Sequence, residues 1–268
     1  MITDAKRVFE DLEKIRKQKP LIHNITNYVV MNNTANALLA LGASPVMAHA
    51  LEEVADMVKI ASALAINIGT LSKHWIEAMK IAMRAASDKG IPIVFDPVGV
   101  GATPFRNETC EELLSLVKPT IIRGNPSEIM ALAKLNPTTT KGVDSTESSD
   151  AALDSAIRLS QHHNCVVSVS GEVDLIVEKN RVIKVANGDA MMPLVTGLGC
   201  TATSLTAAFA AVSDSPFIAA VNAMVIMGIT GEISAEEALG PGSLQTNFID
   251  NLHTIDKEQI ELRIKVEA

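Results

Sequence analysis

Pro92-Ile93-Val94-Phe95-Asp96-Pro97 reads as a buried strand that ends on a carboxylate. Its apolar residues run without alternation, the pattern of a strand covered on both faces. Working outward, a helical stretch at residues 73–89 stops at Gly90 just before it. A Gly99-Val100-Gly101 loop and a helix around 110–117 follow it. Beyond these lie two more apolar strands, Ala63-Leu64-Ala65-Ile66-Asn67-Ile68 and Thr120-Ile121-Ile122-Arg123-Gly124. The pattern continues upstream to a strand that begins at Pro20-Leu21 and downstream to Cys165-Val166-Val167-Ser168-Val169-Ser170. Strand and helix patterns therefore alternate over residues 21–170, which predicts parallel βαβ units. Residues 174–178 and 181–185 alternate around Lys179-Asn180 and read as an antiparallel hairpin. Helices start near Cys200 and Pro216, and another spans about 243–252. The fold class is α/β, a mostly parallel central sheet with helices on both faces, in a single domain over residues 1–268.

In such sheets ligands bind beyond the strand C-termini. The polar residues stand there: Asn27, Asn67, Asp96, Arg123, Asn125 and Ser170. A second signal lies on the same predicted edge, Val195-Thr196-Gly197-Leu198-Gly199-Cys200-Thr201-Ala202-Thr203. Glycine admits positive φ and close approach of backbone to a ligand. The first N–H groups of a helix lack partners and carry the positive end of its dipole. Gly197, Gly199 and Cys200 therefore form a candidate anion hole. Cys200 falls in the first turn, where a thiolate is favoured. A tight turn around a buried cysteine shows the same local pattern. The polar strand ends converging on one edge favour the functional reading.

Composition narrows the class. Asp and Glu outnumber Lys and Arg for a formal charge of −8, and only 3% of residues are aromatic. Neither a phosphate-backbone partner nor a base-stacking platform fits that balance. Cys110, Cys165 and Cys200 stand far apart, without the spacing of a disulfide framework or zinc site. Residues 217–233 come closest to a membrane span, but Asn222, Thr230 and Glu232 interrupt them, so a buried helix is expected and no membrane. The expected location is the cytoplasm. Residues 136–149, rich in Thr and Ser, read as a mobile surface loop.

An anion site, a strand-end arginine and two carboxylates suit phosphoryl chemistry. Asp96 and Glu128 can hold Mg²⁺ through waters, because magnesium keeps part of its hydration. Arg123 can pair with phosphate in bidentate fashion. No Gly-x-x-x-x-Gly-Lys-Ser/Thr is present, which excludes a P-loop. No Gly-x-Gly-x-x-Gly follows the first strand, which argues against a dinucleotide site.

Seven segments in order carry a resemblance: Ile25-Thr26-Asn27, Gly42-Ala43-Ser44-Pro45-Val46-Met47-Ala48, Asn67-Ile68-Gly69-Thr70, Asp96-Pro97-Val98-Gly99, Arg123-Gly124-Asn125, Gly171-Glu172-Val173-Asp174 and Thr196-Gly197-Leu198-Gly199-Cys200. Together they resemble the hydroxyethylthiazole kinase family over nearly the whole chain. The resemblance implies a ribokinase-like fold and ATP- and Mg²⁺-dependent phosphorylation of 4-methyl-5-(2-hydroxyethyl)thiazole in thiamine salvage. It also implies a homotrimer with active sites at subunit interfaces. By motif, Asn27, Met47 and Gly197 would contact the thiazole, and Arg123 and Ser170 would contact ATP. The family commonly has threonine where Ser170 stands. Asp96 and Glu128 match acidic positions near metal and phosphates. Cys200 stands where related ribokinase-like enzymes usually place an aspartate base, so Cys200 is the candidate catalytic group and the base itself is left open. Two other readings fit the residues: a kinase for another small alcohol such as hydroxymethylpyrimidine, and a nucleotide-binding protein without turnover.

Overall fold

The computed structural model describes residues 3–135 and 148–268. Residues 136–147, most of the expected surface loop, lie outside the described residues.

Helix α1 (Ala5–Gln18) starts at Asp4, whose carboxylate accepts from the Arg7 N–H at 2.9 Å. Such a cap is worth about 1 kcal/mol. The expected alternation follows: β1 (Leu21–Ile25), α2 (Met31–Leu41), β2 (Ser44–Val46), α3 (Val54–Ile60), β3 (Ala63–Asn67), α4 (Lys73–Lys89), β4 (Ile93–Asp96), α5 (Pro104–Leu116), β5 (Ile121–Gly124), α6 (Pro126–Leu135), α7 (Ser148–His163) and β6 (Val166–Val169). The hairpin β7 (Asp174–Glu178) and β8 (Arg181–Val185) comes next. Then come α8 (Leu198–Ala210), α9 (Pro216–Glu236), α10 (Pro241–Thr254), α11 (Lys257–Arg263) and β9 (Val266–Glu267). The described strands form one sheet in the order β2-β1-β3-β4-β5-β6-β7-β8-β9. It is parallel from β2 to β6 and antiparallel from β6 to β9. Pro45 sits in β2, at the edge, where its missing N–H breaks no interior ladder.

Two cores cover the two faces. On one, Ala63, Ala65, Val94, Ile121 and Val166 pack with buried residues of α1, α2, α8, α9 and α10. On the other, Leu64, Ile66, Phe95, Ile122 and Val167 pack with α3 to α7. The period of two along each strand then fixes which strand-end residues meet α8. Asn67 continues the Ala63, Ala65 row, Asp96 continues Val94, and Arg123 continues Ile121. The register sets Asn67 beside Asp96 and Arg123 beside Ser168. The polar strand ends thus emerge together on the α8 face.

Helix α9 is long and apolar enough to span a bilayer by composition, yet 94% of its apolar window is buried inside the molecule. It is a core helix, as its interrupting polar residues indicated. Gly228 and Gly231 give it a smooth face. A Cβ at Gly228 would stand 2.5–2.6 Å from the Asn187 Cβ and backbone, and one at Gly231 would meet the Met192 side chain. Asn187 and Met192 therefore lie against α9 in the segment that leads to Gly197 at the start of α8.

The C-terminal α11 and β9 were not expected. A two-residue strand carries no period to read. Tertiary hydrogen bonds hold the region: Asn187 donates to the Arg263 carbonyl at 2.8 Å and accepts from the Lys265 N–H at 2.9 Å.

Candidate active site

A hydrogen-bonded row crosses the ends of β1, β3 and β4. Asn27 Nδ2 donates to Asn67 Oδ1 at 2.9 Å, and Asn67 Nδ2 donates to Asp96 Oδ2 at 2.7 Å. Thr203 of α8 donates to the same Asp96 oxygen at 2.7 Å. One helical turn earlier, the Cys200 sulfur accepts from Asn27 Nδ2 at 3.3 Å. Every member but Cys200 is buried, and only Oδ2 of Asp96 is used. Asp96 Oδ1 accepts no hydrogen bond from a described residue. Burial pushes the Asp96 carboxyl up to about 6. Arg123 and the Thr203 hydroxyl pull it down, while the Glu128 charge raises it further.

The helix supplies the opposite charge. Gly197 is its N-cap at φ +89°, and a Cβ there would lie 2.5 Å from Val30 Cγ1. Glycine is required on both counts. Leu198, Gly199 and Cys200 fill the first turn, and no acceptor among the described residues faces their N–H groups. Arg123 lies beside that turn: a Cβ on Gly199 would be 3.5 Å from its Nη1. Arg123 is 6% exposed, and its Nε is buried without a partner. No described carboxylate forms an ion pair with it. A buried guanidinium is costly unless something anionic meets it. With the open helix N-terminus it makes a candidate site for phosphate.

Glu128 is arranged differently from a free ligand. Its Oε1 accepts from the Gly99 N–H and its Oε2 from the Asn125 N–H, each at 2.9 Å. Asn125 Oδ1 accepts in return from the Glu128 N–H at 2.9 Å. This reciprocal cap starts α6 and ties it to the loop after β4. Ser170 follows β6, and its hydroxyl lies 3.4 Å from the Gly124 carbonyl. Met47 follows β2, where its carbonyl lies 3.3 Å from His49 Nδ1. The order along the edge is therefore Met47, Asn27, Asn67, Asp96, Arg123 and Ser170. Adjacent strands lie about 4.8 Å apart, so the row runs roughly 24 Å from an apolar end to a cationic end.

One electrostatic expectation is corrected. The helix N-terminus was expected to favour a Cys200 thiolate. Burial, and next the Asp96 charge, instead push the thiol above its usual value, outweighing donation by Asn27. Sequence places the sulfur on the helix but does not reveal the carboxylate beside it.

A model of the hydroxyethylthiazole kinase family matches residues 12–258. The chain belongs to that family. A hydroxyethylthiazole kinase of Syntrophus aciditrophicus is 54% identical over 257 residues, 96% of this chain and 95% of the relative. The solved hydroxyethylthiazole kinase protein of Pyrococcus horikoshii OT3 superposes with a TM-score of 0.90 at 42% identity, covering 98% of each chain. A ribokinase-like superfamily protein of Enterococcus faecalis V583 gives a TM-score of 0.67 at 13% identity, covering 94% of this chain and 95% of that one. At that identity it attests the fold alone. The fold is thus ribokinase-like, and this chain places its polar strand-end residues at one edge of the sheet.

Sequence reading missed two residues here. Thr203 stood inside the quoted turn without a role, and the signal was a hydroxyl three residues after Cys200 in an alanine-rich helix. Arg106 was not singled out. Two of its three backbone contacts lie 37 and 38 residues away, and nothing in its local sequence marks them.

Proposed function

We propose that the chain transfers the γ-phosphoryl group of ATP to the hydroxyl of 4-methyl-5-(2-hydroxyethyl)thiazole, and that residues 1–268 act as one kinase domain. The observation that carries this is Arg123, buried and unpaired beside an open helix N-terminus. Arg123 and Ser170 take the nucleotide phosphates at the cationic end. Met47, Asn27 and Gly197 take the thiazole at the other. The Gly197, Gly199 and Cys200 backbone lies between and stabilises charge on the transferring group. The alcohol oxygen bonds to the γ-phosphorus, the bond from that phosphorus to the bridging β-phosphate oxygen breaks, ADP leaves, and the hydroxyl proton passes to a nearby base or to water. The transition state is loose, so position and charge stabilisation outweigh a strong base.

The residues fit Mg²⁺ with ATP as co-substrate. Asp96 and Glu128 repel one another electrostatically, and Asp96 keeps an oxygen free. Two carboxylates with waters and phosphates are the usual surroundings of this ion, and Glu128, whose oxygens each already accept a backbone N–H, would act through waters. Bound there, Mg²⁺ would offset charge on the phosphates. A homotrimer with shared sites is supported by exposed Tyr28 and Val29 beside Asn27 and by exposed Leu194 near Gly197. Three free cysteines support a cytoplasmic location.

Purified protein with Mg²⁺ and ATP is expected to release ADP only when the thiazole alcohol is present. A panel including hydroxymethylpyrimidine fixes the acceptor. Preference for another alcohol, or nucleotide binding without turnover, would overturn the reading.

Cys200, whose sulfur accepts from Asn27 Nδ2, is the candidate catalytic group in this reading. With its thiol held protonated, it is a weak base in the ground state. Cys200→Ala is expected to lose activity within the roughly 10²–10⁴-fold span of general-base catalysis and to remain measurable. Cys200→Ser should match Ala, and Cys200→Asp should stay competent because a carboxylate can take the proton. Turnover numbers for three folded variants decide this. An Asp variant as impaired as Ala would remove proton acceptance from this position.

A further inference from the structure

We propose that Arg106 is a positioning residue for the acceptor half of the reaction, holding the loop after β3 in the shape that aims Asn27 at Cys200. The inference rests on the kinase reading above.

Arg106 lies in the first turn of α5, outside the row of strand-end residues. Its Nη1 donates to the Ile68 carbonyl at 2.7 Å and to the Val98 carbonyl at 2.6 Å. Its Nη2 donates to the Gly69 carbonyl at 2.7 Å. No described carboxylate forms an ion pair with it. One guanidinium therefore clamps two loops, the loop after β3 and the loop after β4, through backbone oxygens alone. Bonds from a charged donor are about twice as strong as neutral ones.

What the clamp holds is the floor of the acceptor site. The Gly69 N–H donates to Asn67 Oδ1 at 2.9 Å, the same oxygen that receives Asn27 Nδ2. A Cβ on Gly69 would stand 2.6–2.7 Å from the Asn27 side chain, so Asn27 rests directly on that backbone. Asn27 then reaches the Cys200 sulfur. Thr70, the next residue, accepts from the Tyr28 N–H at 3.1 Å. A shift of Gly69 therefore passes to Asn27 with no slack between them. The side chain also crosses Gly99, where a Cβ would stand 3.4 Å from Arg106 Cδ and Nε. Gly99 is anchored independently as well, its N–H donating to Glu128 Oε1 at 2.9 Å, so the metal-side loop keeps a tie that does not run through Arg106.

A lysine has the charge but not the planar fork that spans both loops. Arg106→Lys and Arg106→Ala are measured with wild type for kcat, KM of the thiazole alcohol, affinity for a non-hydrolysable ATP analogue, and thermal melting. Small misplacements of reacting groups cost up to about 10²-fold. We expect kcat/KM for the alcohol to fall about tenfold or more in both, with analogue affinity within about twofold of wild type. Should Arg106→Ala fail to fold, Arg106→Lys carries the test. Full alcohol kcat/KM in a folded Arg106→Lys would overturn the proposal. So would an equal loss of analogue affinity, which marks a general structural defect. An inactive wild type would instead defeat the kinase reading.

Discussion

Arg123→Met is expected to lower kcat/KM for phosphoryl transfer by about 10³-fold or more without lowering the melting temperature. Methionine keeps much of the stem volume and removes the charge. An arginine that meets transferring phosphate is worth about 10³–10⁵ in rate. In the free protein the same guanidinium is buried with its Nε unpaired, and the charges of Asp96 and Asp174 offset its desolvation only in part, without an ion pair. Loss of rate without loss of stability separates a phosphate-binding role from a structural one. Arg123 also pulls the Asp96 carboxyl down, so the variant should hold a proton on Asp96 to higher pH. The measurements are steady-state rates and a melt at pH 7. A variant within a few-fold of wild-type rate would remove Arg123 from the reaction.

Asp96→Asn is expected to cut the rate by at least about 10²-fold and yet raise the melting temperature at pH 7. The rate falls because the change removes the negative charge that, in the proposed reaction, would face Mg²⁺ and the phosphates. The stability argument follows from the raised carboxyl, about 6 in the folded protein against 3.8 as the ordinary value. Between those pH values the folded state holds a proton that the unfolded chain has released. Stability therefore falls as pH rises through that window and stays at the lower level above it. Asparagine carries no charge to desolvate, and its oxygen can still accept from Asn67 and Thr203. In EDTA, the gap between variant and wild type should be widest near neutral pH and close toward pH 4. Melting curves at several pH values test this. A variant less stable than wild type at pH 7 would show that Asp96 stabilises the fold as a carboxylate.

The parallel half of the sheet was legible because its strands are unbroken apolar runs between helices with clear stops. Gly42 and Gly90 end α2 and α4 in the left-handed region, where glycine is favoured. The hairpin was legible from its alternation. At the site, chain order and period place Asn27, Asn67, Asp96, Arg123 and Ser170 at strand ends, and the two glycines announce the helix turn. Those signals are local, and local signals survive in one dimension.

Tertiary structure decided the rest. Sequence cannot say that Glu128 has both oxygens engaged by backbone N–H groups, because one of them, Gly99, lies on another loop. Nor can it say that Asp96 lies near enough to Cys200 to raise its thiol, or that Arg106 joins two loops across the sheet edge. These facts depend on the register that sets Asn67 beside Asp96 and on α8 packing over that row. The chain determines which residues reach the edge, since strand period and helix stops are short-range. Which of them touch, and what charge each then carries, is set by distances between elements remote in sequence, where burial and neighbouring charge act together.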